Sequence, residues 1–75
     1  MIKYKIDVMK ELKKRGYDSK KIKEKGILSQ GTITNIKKGG HINTETLNKL
    51  CLILRLSPSD IIEVFPTDEE KIKYF

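Results

Sequence analysis

The twelve residues Leu28-Ser29-Gln30-Gly31-Thr32-Ile33-Thr34-Asn35-Ile36-Lys37-Lys38-Gly39 decide how the rest of the chain is read. Ser29 is a strong N-cap, because its hydroxyl can accept a hydrogen bond from a backbone N–H that the first helical turn leaves free. The pair Gly39-Gly40 supplies the stop. At ~100° per residue, Ile33 and Ile36 lie about 60° apart and define one buried face. Opposite them fall Gly31, Thr34, Asn35 and Lys38, with Gln30 at the flank of the first turn. This outer face holds no acid and no large apolar residue.

Such a face suits a DNA duplex. Gln and Asn can pair bidentately with adenine N6 and N7, and a threonine methyl can meet the methyl of thymine. A lysine follows for phosphate, and Gly31 lets the helix approach closely. Just upstream, Asp18 or Ser19 can cap a short helix, SKKIKEK, that ends at Gly26. Ile22 is its only strong apolar anchor, so packing on neighbours must hold it. About three residues join the two helices, as a helix-turn-helix requires.

Working outward, residues 6–15 (IDVMKELKKR) place Ile6, Val8, Met9 and Leu12 on one helical arc, closed by Gly16. Downstream, Asn43 or Thr44 caps a helix in which Leu47, Leu50, Cys51 and Leu54 repeat at 3–4 spacing. Ser57-Pro58-Ser59-Asp60 opens a fifth helix, PSDIIEV, with Pro at its first position. Residues 66–75 read as a charged tail. MIKYK at one end and IEVF near the other are β-favouring and allow a two-residue ladder. The expected fold is therefore all-α: a compact bundle of five short helices with a minor terminal β pairing. It forms a single domain over residues 1–75, with the helix-turn-helix at 18–38 and the tail at 66–75.

Composition narrows the function. Of 75 residues, 37% are hydrophobic and 35% charged, and 16 Lys and Arg outnumber 10 acids for a net charge of +6. Residues 1–39 carry 12 bases and 4 acids, net +8, while residues 40–75 carry 4 bases and 6 acids, net −2. A basic half points to a polyanionic partner, and the acidic remainder to a separate face. No apolar run approaches the ~20 residues of a membrane helix. The charged N-terminal segment lacks the apolar stretch of a signal peptide, so the cytoplasm is the expected location. One Cys and one His cannot build a structural zinc site. There is no Gly-rich phosphate loop, and His41 has no carboxylate at helical spacing. Cys51, on the apolar face with Leu47 and Leu54, reads as a buried structural thiol, and His41 as a loop residue. Neither catalysis nor a metal, cofactor or small-molecule ligand is expected.

The stretch Asp18–Lys38 resembles the Cro and phage-repressor type of helix-turn-helix domain, the lambda-repressor-like fold. That family's recognition helix follows the string V/I-S-x-x-T-I-x-x-I-x-x-G; Ser29 to Gly39 match it at every anchor, and Leu28 keeps an aliphatic residue at the first. The continuation, INTETLNKLCLILRLSPSDIIEVF, resembles the fourth and fifth helices of a subgroup of small stand-alone regulators with a P-x-D-I-I-E motif. The resemblance covers residues ~2–65. One position departs: the family places Gly where Ile27 stands here, with Gly26 one earlier. A β-branched residue resists positive φ, so Gly26 is expected to take the left-handed conformation.

The resemblance implies a repressor-like regulator of transcription bound to double-stranded DNA in a bacterial or phage nucleoid. It implies that Gln30, Gly31, Thr34 and Asn35 face base edges in the major groove. Ser19 and Lys20 would lie near one phosphate, with Lys37, Lys38, Asn43 and Thr44 on the backbone beyond. Ile22, Leu28, Ile33, Ile36, Leu47, Leu50, Cys51 and Leu54 would form the core. A symmetric dimer is expected, with Ile62, Phe65, Ile72, Tyr74 and Phe75 left for its interface. The alternative is a protein-interaction module, an antitoxin- or antirepressor-like partner that uses the same fold and its basic face.

Overall fold

Nine side chains make the core of the computed structural model, which describes residues 1–75: Val8, Leu12, Ile22, Leu28, Ile33, Ile36, Leu50, Leu54 and Ile61. They come from every helix of the main body, and each helix begins at a residue suited to cap it. Asp7 caps α1 (Val8–Lys14), its carboxylate accepting from Lys10 N at 3.2 Å. Asp18, not Ser19, caps α2 (Ser19–Glu24), accepting from Lys21 N at 2.8 Å. Ser29 caps α3 (Gln30–Lys37) and Asn43 caps α4 (Thr44–Leu54). Asp60 turns back to accept from Ser57 N at 2.9 Å and starts α5 (Pro58–Ile61).

Gly26 has φ +65° while Ile27 keeps a negative φ, so the glycine does absorb the left-handed residue of the turn between α2 and α3. Lys49, reaching across from α4, donates to the Ile27 carbonyl oxygen at 3.3 Å and holds that turn.

The architecture is the mainly helical one expected, and three details differ. The fifth helix stops at Ile61, and residues 62–64 turn extended to form β2 (Ile62–Val64). This strand pairs antiparallel with β1 (Ile2–Tyr4) in the register Ile2↔Val64, Lys3↔Glu63, Tyr4↔Ile62. β-Branched Ile62 and Val64 suit a strand better than a helix end. The tail is not featureless: Asp68–Tyr74 form a sixth helix, α6, with no buried residue. Leu47 and Cys51 are half-buried at the rim of the core, so Cys51 is not the fully buried thiol expected from its helical face. Val8, Leu12 and Ile61 fill the centre instead. No helix is long and apolar enough to cross a membrane.

Candidate nucleic-acid interface

α3 is fixed in rotation by Ile33 and Ile36, which are 0% and 5% exposed. Ser29 Oγ accepts from Thr32 N at 3.1 Å and sets where the helix begins. The opposite face is then determined. Gln30, Gly31, Lys37 and Lys38 are exposed, and Thr34 and Asn35 are half-buried. Gln30 Nε2 donates to Thr34 Oγ1 at 3.1 Å, one turn along. That bond orders both side chains yet leaves Gln30 its carbonyl oxygen and its second amide hydrogen. Those two groups are what a bidentate contact with adenine uses.

Asn35 is engaged with the loop that follows α3. Its Nδ2 donates to the carbonyl oxygen of His41, six residues along the chain. Its Oδ1 lies against Gly40, in the space a β-carbon there would take, so the carbonyl end of the amide is also turned onto the loop and only its second hydrogen stays free. Gln30, Gly31 and Thr34 make no contact with that loop and are left on the outer face of α3 with Lys37 and Lys38.

The residues expected near phosphate fall on two flanks of α3. On one side, Ser19, Lys20 and Lys37 line an open groove of about 690 Å³ together with Lys10 and Lys13 of α1. Asp7 and Asp18 lie in the same groove, with both carboxylates engaged in capping. The groove therefore has four lysines against two acids already committed to backbone N–H groups. On the other side, Lys38 caps the end of α3. Asn43 and Thr44 line a second cavity of about 170 Å³ with Gly39, Gly40, His41, Ile42 and Tyr4. Asn43 Oδ1 accepts from Thr46 N at 2.8 Å, so its free polar group is its NH2.

Sequence reading missed Lys10 and Lys13, which are ordinary surface lysines until α1 is docked against α3. It also missed Tyr4, whose hydroxyl donates to the Gly40 carbonyl oxygen at 2.7 Å. Burial of that ring pushes the Tyr4 hydroxyl above its ordinary pKa, and nothing in its alternating strand pattern marks it out.

Two short capped helices joined by a glycine turn, the second with an acid-free polar face, make a helix-turn-helix of the DNA-binding class. The family model of the Cro/C1-type HTH DNA-binding domain matches residues 6–67, and the chain belongs to that family. No curated protein and no solved structure matches the chain. The family is a DNA-binding one and ordinarily not enzymatic.

Proposed function

We propose that this protein is a sequence-specific, repressor-like regulator of transcription that sets α3 into the major groove of double-stranded DNA. The observation that carries this reading is the outer face of α3: exposed Gln30 and Gly31 with Thr34 beside them, no acid, and lysines on both flanks. Gln30 and Thr34 discriminate bases. Ser19, Lys20, Lys37, Lys38, Asn43 and Thr44, joined by Lys10 and Lys13, hold the sugar-phosphate backbone. Backbone contacts give affinity and register, and base edges give sequence. One such domain spans only a few base pairs, so the working form is a symmetric homodimer reading a palindrome, with recognition helices about 34 Å apart.

The test is binding to random duplex DNA across a salt titration, followed by selection of a preferred site. Lys20→Ala and Lys38→Ala are expected to weaken all duplexes alike. Each should lower the log–log salt slope by roughly 0.9 for every phosphate that is no longer neutralised. Gln30→Ala is expected to cost ~1–3 kcal/mol on the preferred site and to leave random DNA and the salt slope nearly unchanged. If none of these substitutions affects binding to DNA, the same face serves a protein partner and the regulator reading fails.

A further inference from the structure

The loop between α3 and α4 is held from two sides by side chains of other elements. From α3, Asn35 Nδ2 donates to the His41 carbonyl oxygen. From β1, the Tyr4 hydroxyl donates to the Gly40 carbonyl oxygen at 2.7 Å. The two acceptors are consecutive carbonyls of a segment with no ladder of its own. Gly40 N in turn donates to the Asn35 carbonyl oxygen at 2.8 Å. The Asn35 amide lies over Gly40 so closely that a β-carbon there would occupy its space. Gly40 does not have a positive φ, so its backbone conformation does not need glycine. Room for the Asn35 amide does.

We propose that Asn35, Gly40 and Tyr4 form a latch that fixes the α3–α4 loop, and that Asn35 is a positioning residue of the DNA interface, not a reader of bases. The proposal rests on the DNA-binding reading above and departs from what the family resemblance implies for this position. The latch fixes the distance between Lys38 at the end of α3 and Asn43 and Thr44 at the start of α4. Those groups face the backbone, which is the same in every duplex. Loosening the latch therefore weakens all DNA equally, where loss of a reading residue weakens the preferred site alone.

The test uses the full chain and four variants: Asn35→Ala, Tyr4→Phe, Gly40→Ala and the double variant Asn35→Ala/Gly40→Ala. Each is measured against a random-sequence duplex pool and against the site selected from that pool. Amide hydrogen exchange of residues 40–43 is followed in the free chain, with thermal melting as a folding control. Asn35→Ala and Tyr4→Phe are expected to speed exchange across 40–43. They should weaken pool and selected site by the same factor, about fivefold for one neutral hydrogen bond, and leave the ratio of the two affinities unchanged. Gly40→Ala alone should match this loss, and on top of Asn35→Ala it should add nothing, because the space is then vacant.

Loss of preference for the selected site in Asn35→Ala, with pool affinity and exchange unchanged, would make Asn35 a base reader and overturn the latch. Unchanged exchange in both Asn35→Ala and Tyr4→Phe overturns it too, as does a Gly40→Ala loss that adds fully to that of Asn35→Ala. A wild-type chain that binds no duplex overturns the DNA reading instead. The exchange data and the melting of the double variant then support or overturn the latch by themselves.

Discussion

Arg55 ends α4 at φ +55°, the one residue other than glycine in the left-handed region, with its N–H donating to the Cys51 carbonyl oxygen. A β-carbon in that conformation costs roughly 1–2 kcal/mol, and glycine's extra freedom in the unfolded chain costs ~0.5–1 kcal/mol. Arg55→Gly is therefore expected to stabilise the fold by about 0.5–1 kcal/mol, read as a higher midpoint in urea. A lower midpoint would show that the arginine side chain contributes more than its backbone costs. The opposite sign is expected at Asp60, whose carboxylate accepts from Ser57 N. Asp60→Ala removes that bond and should cost ~0.5–2 kcal/mol, with affinity for DNA unchanged. At the level of single residues the site was only partly legible in the sequence. Ile33 and Ile36 set the rotation of α3, so the outward position of Gly31 and Lys38, with Gln30 at the flank, followed from spacing alone. The partner of Asn35 did not, because an amide bond to a carbonyl six residues on depends on the path of a loop that periodicity does not describe. Lys10 and Lys13 join the groove only because α1 docks against α3, and that docking is tertiary.

α6 is the element that the helical pattern does not announce. Periodicity finds helices by the face they bury, and α6 buries none. Its start is nevertheless written in Thr67-Asp68-Glu69-Glu70: Thr67 Oγ1 accepts from Glu70 N at 3.1 Å, and Glu70 Oε1 accepts from Thr67 N at 3.0 Å. The same Glu70 oxygen accepts from the Met1 amino group at 2.6 Å, which ties α6 to the strand pair. A helix of this length has little stability by itself, so these polar ties hold it. The Met1 ammonium first, and the Thr67 N–H after it, hold the Glu70 carboxyl at about 2, down from 4.5. A depressed carboxyl adds stability that is complete above its unfolded value and is lost as pH falls through its folded value. α6 is therefore expected to stay tied to β1 at pH 3 and to release near pH 2. A side-chain carbon NMR titration of Glu70 checks this, and a midpoint near the ordinary glutamate value would remove the tie. The five body helices, by contrast, were legible because each has a capping residue and at least one buried apolar anchor, a single one in α2 (Ile22) and α5 (Ile61). The exception lies within PSDIIEV, where Ile62–Val64 fits either a helix end or a strand. The distant partner, β1, decides between them.

Over the whole molecule, the principal extents are 45 × 23 × 19 Å and the radius of gyration is 13.7 Å, against ~11 Å for a compact chain of this length. α6 adds to the surface without adding to the core, and the large exposed apolar side chains other than Leu52 of α4 lie in or next to α6 and the strand pair. Met1, Ile2, Val64, Phe65, Ile72, Tyr74 and Phe75 are all exposed, Ile72 at 86% and Phe75 at 85%. This end carries acids in the first turn of α6 and lysines after them, so two copies aligned antiparallel bring opposite charges together. Sedimentation at micromolar concentration is expected to show self-association that Ile72→Glu abolishes. A monomer in both cases, with DNA present as well, would refute the dimer. The pairing of β1 with β2 has a consequence for how the molecule comes into being. Helices α1 to α5 are built from contacts close in sequence and can form early. Ile2 meets Val64 only when some sixty intervening residues have been made and folded, a late closure with a high entropic threshold. Tyr4 rides on that strand, so the loop at Gly40 acquires its second tether last. During synthesis on the ribosome, the nascent chain would possess a helix-turn-helix before it possessed a rigid far flank. Competence to grip DNA then arrives as a final kinetic step, set by the closing of the terminal strand pair.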